Sequence, residues 1–203
     1  MGNTTDATAN ELTRRAFVAV LARAGLALPW LPEAARAADR AGSSGRSSMP
    51  AEFWVSNENG SVTCTLCPHR ETLRPGQTGL CRTRRNVNGV LHTLATGKPC
   101  VVNLDPVEKN PLAHVLPGRE VIAIAHAGCN LRCRYCQNWT FSQRGPDKTT
   151  AVAFDRREAF ALADERQLAG ISFTYTEGVC HIEYNTRLAA AAQAFGLRAL
   201  LCT

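Results

Sequence analysis

The 203-residue sequence has few aromatic residues and few lysines, and it contains no long run of basic residues. Aromatic side chains make up 6% of the chain, and its net charge of +6 is due mostly to arginine, because Lys98, Lys109 and Lys148 are its only lysines. Nucleic-acid-binding surfaces usually combine basic clusters with aromatic side chains on which bases stack. The composition therefore argues against a nucleic-acid partner, whereas 45% hydrophobic and 20% charged residues are ordinary for a globular protein.

The sequence also lacks an apolar run long enough to cross a bilayer, which takes about 20 residues. Residues 17–31 are the nearest candidate, and Arg23 interrupts them. Paired Arg14 and Arg15 precede this run and a small-residue Ala-Arg-Ala sequence follows it, so residues 1–37 resemble a twin-arginine export signal. An amphipathic or disordered extension is the alternative interpretation.

Met49 offers a second possible start of translation. It follows a Gly/Ser-rich sequence within residues 38–50, which is typical of a flexible linker. Translation from Met1 predicts export of an already folded protein by the twin-arginine route, whereas translation from Met49 predicts a cytoplasmic protein.

The nine cysteines are the most informative residues of the chain. An odd number with short C-x2-C spacings favours metal binding over a disulfide framework. Six of them fall into two clusters: Cys64, Cys67 and Cys81 form the first, and Cys129, Cys133 and Cys136 form the second.

The first cluster combines a C-x2-C pair, Cys64 and Cys67, with Cys81 from a Pro- and Gly-rich turn. Such a pair lets two sulfurs converge on one ion, and a third cysteine from a turn can help to close the site. His69 or Glu71 is a candidate fourth ligand. The spacing predicts a small structural metal knuckle, and reduced, partly buried thiols in a loop-rich subdomain are the alternative.

Residues 118–203 show the strand and helix order of a parallel sheet. Apolar, β-branched runs predict strands at residues 120–125, 171–176 and 197–203. Two helices are predicted between them, the first capped by Asp155 and ended by Gly170, the second ended by Gly196. This βαβαβ order places the cysteine loop and the "YTEG" sequence at the same carboxyl-end rim of the sheet.

The second cluster places three cysteines in a C-x3-C-x2-C loop with no obvious fourth. Three thiolates suit an iron–sulfur cluster with one iron left free, whereas a structural zinc site is usually closed by a fourth ligand. The nearest such ligand is His126, and inert thiols are a third interpretation.

Residues 128–136, Gly-Cys-Asn-Leu-Arg-Cys-Arg-Tyr-Cys, resemble the signature of the radical S-adenosylmethionine (radical SAM) superfamily. The sequences "QNW", "CxLCPH…GxxGLC", "DPVEKNPLAHVLPG" and "FTYTE" resemble one branch more closely. That branch is the AmmeMemoRadiSam-system radical SAM enzymes, akin to pyruvate formate-lyase activating enzymes. The similarity runs from about residue 61 to residue 203.

The resemblance implies an α/β fold, namely the first half of a radical SAM partial (β/α)6 barrel at residues 118–203, preceded by a small Cys-containing N-terminal subdomain and connector at residues 51–117. It also implies an enzyme that holds a [4Fe–4S] cluster on Cys129, Cys133 and Cys136. S-adenosylmethionine would bind the fourth iron and be cleaved by one electron, from a donor such as ferredoxin or flavodoxin. The resulting 5′-deoxyadenosyl radical would abstract hydrogen from a glycyl residue of a partner protein or from a small molecule.

The resemblance further implies which residues contact S-adenosylmethionine. Tyr135 would lie near its adenine, and the turn Thr174, Tyr175, Thr176 and Glu177 would lie near its methionine amino group. A helix N-terminal acid is an equally good interpretation of Glu177.

The sequence departs from the family pattern in three places. Glu71 stands where relatives often have a cysteine, and Gly178 stands where they often have proline. The sequence also stops in the third strand of a barrel of about six, which predicts a fragment, a frameshifted product or half of a split protein. A non-catalytic iron–sulfur or zinc module, or an inactive fragment of the enzyme, is therefore the alternative function.

Overall fold

A four-stranded mixed sheet carries the second cysteine loop. The computed structural model describes residues 48–94 and 96–203, so the predicted export signal and most of the predicted linker lie outside the described residues. The described strands are β1 (Met49–Pro50), β2 (Trp54–Ser56), β3 (Val62–Cys64), β4 (Thr72–Leu73), β5 (Arg84–Val87), β6 (Val90–Thr93), β7 (Val101–Pro106), β8 (Glu120–Ala125), β9 (Gly170–Phe173) and β10 (Arg198–Leu201).

The described helices are few and mostly short. The α-helices are α1 (Trp139–Ser142), α2 (Arg156–Glu165) and α3 (Ile182–Ala194). Short 3-10 helices lie at Glu58–Gly60, Val107–Lys109, Pro146–Lys148 and Gly178–His181. In the part of the chain that the structure describes, no helix is long and apolar enough to cross a membrane.

The strand order of the mixed sheet is β10-β9-β8-β7. Strands β8, β9 and β10 are parallel, with Val121 opposite Gly170 and Gly170 opposite Arg198. The βαβαβ order expected for this part of the chain is therefore confirmed. The described sheet is open, and the half-barrel interpretation stays a prediction.

Strand β7 was not expected, because its sequence falls in the predicted connector. It pairs antiparallel with β8 over six residues, from Val101 opposite Ala125 to Pro106 opposite Glu120. The sheet therefore begins within residues 51–117, upstream of the boundary at residue 118 that the sequence suggests.

The start of α2 is as expected and its end is not. The Asp155 carboxylate caps the helix by accepting a hydrogen bond from the Arg157 N–H at 2.7 Å. The helix ends at Glu165, so the expectation that Gly170 stops it is wrong. Gly170 instead begins β9, where a side chain would collide with the Arg198 backbone of β10. Glycine is needed there because two backbones approach closely.

The predicted second strand is also too long. Strand β9 ends at Phe173, and residues 174–177 leave the sheet as a turn. By contrast, Gly196 follows α3 with φ of 76°, the left-handed conformation that ends many helices, so the predicted stop is confirmed.

The main core lies between the mixed sheet and helices α2 and α3. Its buried members include Ile122, Ile124, Phe160, Ile171, Phe173 and Leu188. Alternating residues of β8 point to the other face, where Val121 packs with Val107. Helices α2 and α3 pack on one face of the mixed sheet and hold it in place. The second cysteine loop begins at the carboxyl end of β8 in this sheet.

The N-terminal strands form two small three-stranded sheets, ordered β1-β6-β5 and β2-β3-β4. A separate apolar cluster of Ala51, Val62, Cys64, Leu73 and Leu91 fills the space between them. The described N-terminal strands and the mixed sheet belong to one compact unit.

Candidate cofactor site

The second cysteine loop leaves the sheet at the end of β8, and Gly128 sets its path. Gly128 has φ of 91°, and a Cβ atom there would lie 2.5 Å from the Cys81 carbonyl oxygen. Its N–H donates to the Phe141 carbonyl at 3.0 Å. Only glycine combines this φ with so close an approach. The loop is thus pressed against the segment that carries the first cysteine cluster.

The three cysteines of this loop differ in exposure. Cys129 is 6% exposed, and its sulfur accepts a hydrogen bond from the Leu131 N–H at 3.4 Å. Cys133 is exposed, and Cys136 is half-buried with its sulfur 3.4 Å from the Ser142 hydroxyl. Burial raises the pKa of the Cys129 thiol, and a hydrogen bond from the Glu177 backbone partly opposes this.

The turn of residues 174–177 lies beside the loop, as the strand order predicts. The Thr176 hydroxyl donates to the His126 carbonyl at 3.1 Å. The Asn138 side-chain amide donates to the Tyr175 carbonyl at 2.9 Å. These bonds join the segment after β8 to the segment after β9, so the shared rim is confirmed.

Within this turn, the Tyr175 side chain points away from the cysteines. Its hydroxyl donates a short hydrogen bond to Asp105 and accepts one from the Asn103 amide at 3.3 Å. Lys109 donates to the same carboxylate at 2.8 Å and lies 5.5 Å from the centre of the Tyr175 ring. Burial is the main reason that the pKa of Tyr175 is raised.

The other turn residues are fixed closer to the backbone. Thr174 and Thr176 are buried. The Glu177 carboxylate accepts from the Val179 N–H at 3.2 Å and from the Thr203 hydroxyl at 2.8 Å. Glu177 therefore makes the contact expected of an acid at the start of a helix. Its predicted contact with S-adenosylmethionine stays a prediction.

Tyr135, the residue predicted to lie near adenine, is 91% exposed. Leu131 and Trp139 of the same loop region are exposed as well. An exposed ring is free to approach a ligand. The adenine contact stays a prediction.

Sequence reasoning missed a cluster of buried polar side chains next to the loop. The rings of His126 and His181 lie 4.9 Å apart, and Tyr184 contacts His126 edge-on at 4.7 Å. Burial lowers the pKa of His181 to about 4 and also lowers that of His126. Both rings are therefore neutral at pH 7. No local pattern reveals this cluster, because the two histidines lie 55 residues apart in the sequence.

His126 is buried in the core, although it directly precedes the cysteine loop. Its ring packs on His181 and Tyr184, and its Nε2 atom has no hydrogen-bond partner among the described residues. A closed zinc site that uses His126 as its fourth ligand stays a prediction.

The first cysteine cluster lies next to the second loop, where Gly128 closely approaches the Cys81 backbone. Both predicted fourth ligands make other contacts, and their role as metal ligands stays a prediction. His69 Nε2 lies 3.1 Å from the Asn130 carbonyl, and both oxygens of Glu71 accept from the Leu80 N–H at 2.9 Å. Cys81 instead meets Cys180, whose hydrogen bond is the main cause that lowers the Cys81 pKa to about 6.

The placement of the thiols decides which kind of metal centre they fit. Across residues 48–94 and 96–203, no three His, Cys, Asp or Glu side chains are placed to hold one metal ion together. An iron–sulfur cluster makes a different demand, because each thiolate binds a different iron atom. Three thiols spread along one loop therefore fit a cluster in their chemistry without converging on one point.

Comparison with known proteins adds one relative. The chain is 36% identical over 153 residues to the uncharacterized protein MJ0808 of Methanocaldococcus jannaschii. The matched segment covers 75% of this chain and 46% of that protein, so the chain spans about half the length of the relative. No family profile matches the chain. No solved structure matches it either.

Proposed function

We propose that the chain is a radical SAM protein whose second cysteine loop holds a [4Fe–4S] cluster beside a turn that holds S-adenosylmethionine. One observation carries the proposal. The C-x3-C-x2-C loop follows a buried parallel strand, and hydrogen bonds tie it to the turn after the neighbouring strand. Ligands of open α/β sheets bind at this rim.

Cys129, Cys133 and Cys136 would hold the cluster, each on its own iron. When bound, the cluster supplies the electron that cleaves the sulfonium of S-adenosylmethionine. Each thiol gives up its proton on loading. Cys129 lies on the buried side of the loop and Cys133 on its exposed side. The loop would therefore shield one side of the cluster from water and leave the other side open to an electron donor such as ferredoxin or flavodoxin.

The turn of residues 174–177 would orient the methionine part of the ligand. Tyr175 is held twice, because Asn138 donates to its carbonyl from the loop side and its hydroxyl donates to Asp105 on β7. A turn anchored in this way presents its backbone groups in one arrangement before the ligand arrives. The reaction would be hydrogen abstraction from a protein or a small molecule.

Anaerobic reconstitution tests the proposal. We expect about four irons per chain with broad absorbance near roughly 400 nm, and 5′-deoxyadenosine after addition of dithionite and S-adenosylmethionine. Cys133→Ala should lower the iron content and abolish the nucleoside, because Cys133 is an exposed ligand whose removal leaves no cavity. The matched control is Cys202→Ser, a half-buried cysteine outside both clusters, which should retain both signals.

Two results would contradict the proposal. Iron bound without release of the nucleoside would indicate a non-catalytic cluster protein. Zinc in the second loop, without absorbance at about 400 nm, would indicate a structural module.

A further inference from the structure

Four cysteines line one small cavity between the N-terminal strands and the mixed sheet. Cys64, Cys67 and Cys81 enter it from the N-terminal side, and Cys180 enters it from the 3-10 helix Gly178–His181. The cavity measures about 20 Å³, which is room for about one water-sized sphere. Sequence reasoning treated Cys180 as an isolated cysteine, because it lies 99 residues after Cys81.

None of the four cysteines forms a disulfide, and three of them are buried. Cys64 and Cys81 are each 8% exposed, Cys180 is 2% exposed, and Cys67 is half-buried. The Thr83 hydroxyl lies within hydrogen-bonding distance of both the Cys81 sulfur, at 3.3 Å, and the Cys180 carbonyl, at 3.4 Å. The Thr83 hydroxyl therefore links the segment of Cys81 to the segment of Cys180 at the cavity.

We propose that Cys64, Cys67, Cys81 and Cys180 bind one structural zinc ion as a tetrathiolate site. Zinc takes four ligands in a tetrahedron in structural sites, and four cysteines are one of its standard ligand sets. Structural zinc sites commonly take two of their ligands from a C-x2-C pair, which Cys64 and Cys67 provide here. The fourth ligand, Cys180, lies after strand β9 of the mixed sheet. The ion would therefore join the N-terminal strands to the segment that follows the turn of residues 174–177.

Binding requires the thiols to turn toward a common point. The four cysteines line the cavity, but no three of the described side chains already surround one position. A cysteine side chain moves its sulfur by rotation about one bond, and such rotations, together with shifts of the surrounding chain, would bring the four sulfurs together. Each thiol would release its proton when it binds zinc.

The site uses no residue of the second cysteine loop, so it does not depend on the iron–sulfur proposal. The whole chain should be purified under reducing conditions, and its zinc content measured by inductively coupled plasma mass spectrometry. We expect about one zinc per chain. Cys180→Ser should weaken zinc binding at least about tenfold in competition with a chelator, because it removes one of four ligands. The matched control Cys202→Ser should leave binding unchanged.

Three further measurements distinguish this site from metal binding at the second loop and from loss of the fold. Cys133→Ala, which removes a ligand of the second loop, should retain the zinc. Cobalt(II), used as a spectroscopic probe, should give the intense visible bands of a tetrahedral thiolate site in the wild-type chain and weaker bands in Cys180→Ser. If Cys180→Ser fails to fold, Cys67→Ser replaces it, because Cys67 is half-buried on a turn.

The proposal is overturned if the wild-type chain binds neither zinc nor cobalt, or if Cys180→Ser and Cys67→Ser bind zinc as tightly as the wild type. It is also overturned if Cys133→Ala loses the zinc, since the ion would then belong to the second loop. A Cys81–Cys180 disulfide in the protein as purified under reducing conditions would also exclude the site.

Discussion

At the scale of single residues, Tyr175 is the side chain that the resemblance describes least well. It lies in the turn expected to contact S-adenosylmethionine, but its φ is 67°, a left-handed value that is rare for an aromatic residue. Its hydroxyl is held by Asp105 on β7, and Lys109 holds the same carboxylate. Such backbone strain persists only where surrounding contacts impose it. We infer that Asp105 fixes the turn through Tyr175.

Tyr175→Phe should therefore lower the free energy of unfolding by about 1.5–3 kcal/mol, the usual contribution of a hydrogen bond to a charged group. Tyr135→Phe is the matched control, because it makes the same chemical change on a side chain that is 91% exposed. Its effect should stay within about 0.5 kcal/mol. Urea denaturation of both variants measures the difference, and equal effects would mean that the Asp105 contact does not stabilise the turn.

At the scale of elements, the two longer helices end in the same way with different residues. After α2, the Leu168 N–H donates to the Ala163 carbonyl and the Gln167 N–H to the Asp164 carbonyl. After α3, the Leu197 and Gly196 N–H groups make the equivalent bonds. This pair of bonds is the Schellman motif, whose left-handed position favours glycine. Gln167 occupies that position in α2 with φ of 54°.

The two helix ends offer a matched pair of substitutions. Gly196→Ala should destabilise the fold by about 1 kcal/mol, because its φ is 76° and no atom would contact the new Cβ, so backbone strain alone changes. Gln167→Gly should stabilise the fold by less than about 1 kcal/mol, since it relieves the strain but removes the hydrogen bond from the Gln167 side chain to the Asp164 carbonyl. Thermal unfolding measures both. A stabilising Gly196→Ala would show that the motif does not govern these ends.

These helix ends also show what the sequence could predict. Gly196 was found because glycine is the common signal for a helix stop, whereas the end of α2 was missed because Gln167 gives no such signal. Strand β7 was missed because the turn-forming residues that follow it indicate a connector, although Val102 and Leu104, which pack on the main core, alternate with Asn103 and Asp105. The three parallel strands were found because buried strands form continuous apolar runs.

The candidate site likewise has one part that the sequence predicts and another that only the folded structure shows. The cysteines of the second loop lie within eight residues, so their pattern is visible in the sequence. The position of the turn beside them follows from strand order alone. Cys180, His181 and Arg84 could not be predicted, because their neighbours lie far away in the chain and only the folded structure brings them together.

At the scale of the whole molecule, the N-terminal strands are fixed to the mixed sheet by a buried ion pair. Arg84 of β5 donates a short hydrogen bond to Glu183 of α3, and the two side chains are 2% and 1% exposed. Glu52 adds two backbone contacts, a carbonyl that accepts from Arg84 at 2.8 Å and an N–H that donates to Glu183 at 2.9 Å. Arg84 also lines the four-cysteine cavity. The ion pair therefore joins the N-terminal strands to the mixed sheet beside the proposed zinc site.

This pair predicts an asymmetry between single and double substitutions. Glu183→Leu or Arg84→Met alone should cost about 3–5 kcal/mol, because each leaves one charge buried without its partner. The double variant Arg84→Met with Glu183→Leu should recover at least about half of this loss, since two apolar side chains replace two charges that are costly to bury. Arg85→Met, on the exposed side of the same strand, should change the stability by no more than about 0.5 kcal/mol.

Urea denaturation followed by tryptophan fluorescence measures all four variants in two backgrounds of the three-tryptophan chain, one that keeps only Trp54 in the N-terminal sheet and one that keeps only Trp139 beside the second cysteine loop. A pair that only tethers one half to the other would shift the Trp54 signal and leave the Trp139 signal unchanged. A pair that is part of one cooperative core would shift both signals together. We expect the second result, because Arg84 and Glu183 are buried where β5 meets α3, and α3 packs on the sheet that carries the loop. If the stability losses of the two single variants simply add in the double variant, the buried ion pair is not the contact that joins the N-terminal strands to the mixed sheet.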